Sequence, residues 1–310
     1  MELSTELLRT FVCVSEEKGF SNAAIKLHKS QSSISTQIKL LEKQLGSKLF
    51  DRSEHPPELT EIGRAVLQFA KEFINRTRDL ERDLKEFSLG VSGEVRVGTI
   101  SSISTYLLLP TIGKLLRKFP KLKVSILNQS RSLLFESVRQ AAVDFAIVLS
   151  DREPENLAVE VLKREQLCFV VSPENPLGSK KHAVLEDLAE APFVVGLRGS
   201  EYAQMIDRLL KQLGLNEIHV SIRISNWEGI KEAVRAGIGL AILPRFVVER
   251  DLNDRTLAEV FVRDVRLRAN IMLLENSHRR ASSATVSLIR NALVQSIVAK
   301  DCLTRQDRDR

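Results

Sequence analysis

The stretch FSNAAIKLHKSQSSISTQIKLLEKQLGSKLFDR, residues 20–52, decides how the chain reads. Ser21 is placed to cap a short helix, SNAAIKLH, whose small Ala23 and Ala24 permit a close helix crossing. A tight turn at Lys29 and Ser30 leads into QSSISTQIKLLEKQLG, where Ile34, Ile38, Leu41 and Leu45 recur at helical spacing and face inward. The opposite face carries Gln31, Ser32, Ser35, Thr36 and Lys39. A second helix that starts with amides and hydroxyls and continues with lysines suits a DNA major groove. Gln pairs bidentately with adenine, and hydroxyls bond base edges or phosphates. The competing reading is a solvated polar face, and the flanking sequence decides between the two.

Upstream, residues 3–17 read as a first helix with Leu7, Leu8, Phe11, Val12 and Val14 on its apolar side, ended by Lys18 and Gly19. Downstream, Leu49, Phe50 and Arg52, a Pro-Pro turn, then Glu58 and Leu59 fit a two-stranded wing. Thr60 then caps a long helix that has Glu61 and Gly63 in its opening turn. Residues 61–89 keep one helical pattern in which Val66, Ala70, Phe73, Thr77, Leu80, Leu84 and Phe87 step by four and three. Such a heptad needs a partner helix. Gly90, Ser92 and Gly93 break it.

Together with LTEIG at 59–63, this run resembles the LysR family of transcription regulators, and weaker similarity continues through almost the whole chain. The resemblance implies a winged helix-turn-helix DNA-binding domain at 1–60, a linker and dimerisation helix at 61–89, and an α/β effector-binding domain at 93–300. That last domain is expected to be two-lobed, like periplasmic solute-binding proteins. Lobe one is placed at 93–161 plus 267–300 and lobe two at 162–266. Also implied are a homodimer through the linker helix, a homotetramer, double-stranded promoter DNA and RNA polymerase as partners, and a cytoplasmic location. By the same resemblance Gln31, Ser32, Ser35 and Thr36 face bases, while Lys39, Arg52 and His55 meet the backbone or minor groove. The chain departs from the family where Ser32 replaces a usual Pro, Thr36 a frequent Arg, and His55-Pro56 a common basic residue and Gly. Operator preference therefore does not carry over from relatives.

From Val95 strand and helix signals alternate. Strands are expected at Val95–Thr99, Val124–Leu127, Phe145–Leu149, Leu167–Ser172, Phe193–Val195, Val220–Ile224, Leu240–Leu243 and Ala269–Leu274. Helical patterns lie between them, so the expected sheets are mostly parallel and covered on both faces. The tail DCLTRQDRDR reads as polar and frayed. Strand-to-helix junctions carry Ser101, Ser102 and Ser104; Gln129, Ser130 and Ser132; Gly199 and Ser200; and Ser225 and Asn226. Free N–H groups at helix starts beside hydroxyls or amides bind anions, and ligands gather at the carboxyl ends of parallel strands. Each serine alone reads more simply as a cap; the set points to a pocket. Ser101, Ser102, Ser130 and Ser200 are the preferred effector contacts, backed by Gln129, Asn226 and Trp227. Ile100 makes the first junction less polar, so the small-molecule effector need not be an inorganic anion. Arg131 and Arg198 are further cations there, read mainly as solvated surface. VRVGTISSISTYLLLP and IKEAVRAGIGLAILP look like landmarks of the same family.

Composition removes other classes. A chain of 310 residues with 43% hydrophobic content suits two or three globular domains. MELSTELLRTF is amphipathic and acidic rather than signal-like, and no apolar run of about eighteen residues occurs, so neither export nor a membrane partner is expected. The net charge of +6 is weak support for nucleic acid, because acids and bases balance over residues 1–60. Cys13, Cys168 and Cys302 lack CxxC spacing, and the histidines stand alone, so no metal and no cofactor is expected. The Gly-x-Gly of AGIGLAI follows a helix and precedes a strand, the reverse of a dinucleotide fingerprint. No nucleophile, base and orienting partner come together, so the chain does not read as an enzyme. The rival readings are a cytoplasmic solute-binding protein without regulatory work, a redox-switched regulator using Cys168, and an α/β enzyme with an accessory DNA module.

Overall fold

The computed structural model describes residues 4–51, 53, 56–89, 91, 93–276 and 283–306. Arg52, His55, Gly90 and Ser92 lie outside these residues, as does the side chain of Phe87. The chain forms two compact units, Met1–Gly93 with Arg139–Val143, and Glu94–Val138 with Asp144–Arg310.

The first unit runs α1 (Thr5–Glu16), α2 (Phe20–Lys26), α3 (Gln31–Leu45), β1 (Phe50–Asp51), β2 (Glu58–Leu59) and α4 (Glu61–Leu89). Leu8, Phe11 and Val14 of α1, Ala23 of α2, and Ile34, Ile38 and Leu41 of α3 are at most 1% exposed and form its core. Full burial of each large apolar side chain contributes about 1.5–3 kcal/mol before entropy is subtracted. Leu45, expected with them, is only half-buried and packs at the margin. Ser21 does not cap α2: the helix starts one residue earlier, behind Gly19, with no side-chain bond. Ser30 is the working cap instead, accepting from the α3 backbone at Ser33 N at 3.2 Å. Gly46 closes α3 in the left-handed conformation, φ 67°.

Two polar residues seat the wing. Glu42, 4% exposed, accepts the backbone N–H of Leu49 at 2.9 Å, a charge-assisted bond in a buried place. Thr60 accepts from Gly63 N at 2.9 Å while donating to Lys48 O at 2.8 Å, which ties the start of α4 to the segment before β1. A Cβ on Gly63 would lie 2.1 Å from Leu49 O, so only glycine allows this approach. β1 and β2 pair antiparallel, Phe50 opposite Leu59, and the Phe50 ring meets Phe11 and Phe20 edge-on at 5.4 and 5.5 Å.

The expected heptad of α4 divides in two. Ala70 is fully buried and Val66 half-buried, both packed on the unit's own core along with Leu67 and Ile74. The outward seam is instead Ile62, Phe69, Phe73, Leu80 and Leu84, with Phe69 and Phe73 stacked at 6.0 Å.

The second unit continues with β3 (Gly93–Thr99), α5 (Ser101–Ile103), a π-helical turn at Ser104–Leu108, α6 (Leu109–Lys118), β4 (Leu122–Asn128), α7 (Arg131–Arg139), β5 (Phe145–Ser150) and β6 (Ala158–Val171). Then come α8 (Pro176–Ser179), α9 (Leu185–Ala189), β7 (Pro192–Gly196), α10 (Glu201–Gln212), β8 (His219–Ile224), α11 (Trp227–Arg235), β9 (Ala241–Pro244) and α12 (Arg245–Asn253). β10 (Ala258–Val260), β11 (Leu267–Glu275) and α13 (Ala284–Gln306) finish it, so Asp301–Gln306 of the expected frayed tail is helical.

A seven-stranded sheet has the order β10-β6-β11-β5-β3-β4, with β9 also on β6. The sheet is not mostly parallel: β3 and β5 run parallel, but β11 is antiparallel to both β5 and β6, and β9 and β10 are antiparallel to β6. The long β6 and β11 carry the chain across. The first part of β6 pairs with β11 beside lobe one's β5, and its last part pairs with β9 and β10 of lobe two. Parallel β7 and β8 complete lobe two. The glycines of AGIGLAI serve this join. Gly237 takes the left-handed φ of 76° after α11, and at Gly239 a Cβ would sit 2.3 Å from Pro192 O, where Leu240 N bonds that oxygen at 2.8 Å. Among the described residues no helix is long and apolar enough to cross a membrane.

Candidate functional site

The exposed edge of α3 shows Gln31, Ser32, Thr36 and Lys39 to solvent, with Ser35 half-buried between them. Part of that edge is held in place from within. Thr36 Oγ1 donates to Ser32 O at 2.9 Å, and the Ser32 and Ser30 hydroxyls lie 3.0 Å apart. Thr36 therefore offers acceptor lone pairs and a methyl group, the pair of features that meets an adenine amino group or a thymine methyl. The amide of Gln31 has no bond among the described residues.

The lysines of the unit sort by partner. Lys26 is paired with Glu17, Lys29 with Glu6 at 2.6 Å, and Lys48 with Glu42 at 3.4 Å. Bonds from Lys29 and Gln37 hold the Glu6 carboxyl below its ordinary range, so Lys29 is committed to the α1–α3 contact. Among the described residues Lys39 and Lys43 have no carboxylate partner. Lys18 and Arg9, also exposed, lack one too.

In the second unit two of the helix starts named from sequence, those of α7 and α10, meet. Glu201, the first residue of α10 in lobe two, extends its carboxylate to the α7 start in lobe one, accepting from Arg131 N at 2.7 Å and Ser132 N at 2.9 Å. Unpaired N–H groups and the helix dipole both favour a carboxylate there. Arg131 is not solvated surface, as its side chain is 17% exposed, donates to Ser150 Oγ at 2.6 Å and lies 3.7 Å from Glu201. Arg198 is exposed. A second contact joins the π-helical turn to α11: Tyr106 donates to Glu228 and receives a bond from Lys231 Nζ at 2.7 Å. Burial first, and the Glu228 acceptor second, push the Tyr106 phenol up. A third is the fork from Arg208 to Asp151, at 2.9 and 2.7 Å.

The candidate effector contacts differ in the bonds they make. Ser101 and Ser102 open α5 with hydroxyls that make no bond among the described residues. The Ser130 hydroxyl lies 3.2 Å from that of Ser132, and Gln129 Oε1 accepts from Ser137 at 2.8 Å. Ser200 and Asn226 each use an oxygen as a helix cap, accepting from Ala203 N at 3.3 Å and Gly229 N at 2.7 Å. Trp227 is 7% exposed, and its ring sits between Tyr202 at 4.8 Å and Phe246 at 6.0 Å. Phe246 in turn meets Tyr106 at 6.3 Å, so Tyr202, Trp227, Phe246 and Tyr106 form an aromatic row. Glu201, Tyr106, Arg208 and Asp151 were missed by sequence reasoning. Nothing in their local spacing marks them, because each partner lies far away in the chain.

Residues 88–295 match the LysR substrate binding domain. The chain belongs to the LysR family. Residues 5–64 match the bacterial regulatory helix-turn-helix protein, lysR family, so this LysR-family chain is a transcription regulator with a helix-turn-helix DNA-binding domain and an effector-binding domain. It is 28% identical over 280 residues to the HTH-type transcriptional regulator CysL of Bacillus subtilis, covering 89% of this chain and 93% of that one. Its fold is similar to that of ArgP from Mycobacterium tuberculosis, with a TM-score of 0.71, 20% identity and coverage of 96% and 98%. CbnR in complex with its target DNA gives a TM-score of 0.67 at 20% identity, covering 95% of this chain and all of that one, 100%. At such identities the likeness speaks to fold alone.

The redox alternative fits the geometry poorly. Cys168 is 1% exposed, and burial pushes its thiol well up, with only a 3.6 Å contact from Arg245 opposing. Reactive thiols need the opposite surroundings.

Proposed function

We propose that the LysR-family chain binds promoter DNA by laying the exposed edge of α3 in the major groove, and that a small carboxylate-bearing effector in the cleft changes the pose of the two lobes. Gln31, Ser32, Ser35 and Thr36 face bases; Lys39 neutralises a phosphate; Arg52 and His55 serve the wing. The observation that supports this best is the division of α3. Ile34, Ile38 and Leu41 are wholly buried on one side, while Gln31 and Lys39 on the other have no protein partner among the described residues. A mobility-shift titration of the purified protein on genomic fragments tests it. Specific retardation that weakens steeply with salt is expected, and indifference between genomic and random duplex would sink the reading.

In the cleft, Glu201 marks where an effector carboxylate sits, because the α7 start already accepts one. Ser101, Ser102, Ser130 and Ser200 are assigned as its contacts, with Gln129, Asn226 and Trp227 in support. An effector there replaces Glu201 and shifts the lobes by its differential affinity for the two poses, commonly about 1–3 kcal/mol. The seam Ile62, Phe69, Phe73, Leu80 and Leu84 pairs with its copy in a dimer, and two dimers assemble as a tetramer. The same reading places the protein in the cytoplasm, with RNA polymerase as the partner that the bent promoter presents, and assigns the chain no catalytic step. Domain limits follow at 1–60, 61–89 and 93–300.

A further inference from the structure

Apart from the cleft, a cavity of about 280 Å³ opens between the loop after β5, the end of α10 and the start of β11. Asp151, Arg152, Arg208, Gln212, Arg268 and Asn270 line it, and none of the candidate effector contacts does. Three guanidinium groups share this space with one carboxylate. Asp151 is matched by Arg208 in the bidentate fork; burial works against its charge, but the fork outweighs burial and holds the carboxyl below its ordinary range. Arg152 and Arg268 have no carboxylate partner among the described residues, and both are exposed enough to reorient.

Folding alone gives no reason to gather two unmatched like charges at one cavity, since their repulsion opposes it. An anion in the cavity reverses the sign of that interaction. Guanidinium forks match carboxylate and phosphate oxygens in pairs, and the amides of Gln212 and Asn270 can serve a hydroxyl or a remaining oxygen. Two unmatched cations call for a double negative charge. The volume lies just under the usual range for ligand pockets, about 300–1,000 Å³, which limits the ligand to a few carbon atoms.

We propose that this cavity binds a small organic dianion, a dicarboxylate or a phosphate monoester, held by Arg152 and Arg268. Its walls come from both lobes and from a crossover strand, so an occupant there bears on lobe pose from a place separate from the cleft.

The test is isothermal titration of the full-length protein with succinate, with glycerol 3-phosphate and with acetate, in buffer free of phosphate. At least one dianion is expected to bind at millimolar concentration or below, with acetate much weaker. The better of the two identifies a carboxylate or a phosphate source. Arg152→Gln and Arg268→Gln, singly and together, should keep the unliganded melting temperature and weaken that binding about tenfold for each charge removed. The S101A/S130A variant, altered in the cleft, should bind the dianion like the parent. Failure of both dianions to bind, equal binding of acetate, or loss in the cleft variant with retention in the arginine variants overturns the proposal.

Discussion

A methyl group at position 63 has nowhere to go, because Leu49 O occupies its place and belongs to backbone rather than to a side chain that could swing aside. Gly63→Ala should therefore lower unfolding free energy by about 1–3 kcal/mol in urea titrations, and an unchanged midpoint would refute the close approach. Lys39 makes a prediction of another kind. Lys39→Gln should weaken binding to specific and random duplex alike and reduce the log–log salt slope by about 1, whereas Gln31→Ala should change the preference among sequences. These single positions differ in how far the sequence could reveal them. Ile34, Ile38 and Leu41 declare themselves by spacing alone. Gly63 was visible as a residue compatible with a helix start, but the oxygen that demands it is fourteen positions away by number and close only in space. Glu42 looks like any acid on an amphipathic helix until its bonds to the wing backbone are seen.

At the level of elements, α4 shows what periodicity can and cannot say. Stepping by four and three identified an apolar helix that wants a partner, but the same pattern served two partners, with Val66 and Ala70 turned to the unit's own core and Leu80 and Leu84 turned out. Leu80→Asp with Leu84→Asp should leave the fold intact and give monomers in sedimentation experiments; a normal dimer would remove α4 from the interface. The first half of β6 was missed for a related reason. Glu160, Lys163 and Glu165 interrupt its apolar residues, and it becomes a strand through its long antiparallel pairing with β11, where Glu165 is buried against Lys163 at 2.9 Å. Pairing with a distant strand overrides local propensity. The alternation of strands and helices predicted parallel neighbours, and it had no means of showing that the two crossover strands run against them.

At the scale of the effector-binding unit, the lobes meet through contacts whose strengths respond to conditions. The Arg208 fork keeps Asp151 ionised below its ordinary range, with burial the opposing influence. Its stabilising contribution is therefore complete above about pH 4 and is lost as pH falls through the lowered folded value. Melting temperatures measured from roughly pH 6 down to pH 2 should fall less steeply for Asp151→Asn than for the parent, and parallel curves would show that the fork contributes nothing.

Glu201 has a consequence for dose. On the proposed reading an incoming carboxylate meets a tethered competitor of fixed effective concentration, which raises its half-saturation point by a constant factor. Glu201→Ala should move the half-saturation point of a carboxylate that shifts the melting temperature downward by about tenfold, while an unchanged point would show that the two never compete. The set-point of the regulator would then be written in one side chain, and relatives with a shorter or neutral residue at that position would answer to scarcer signals.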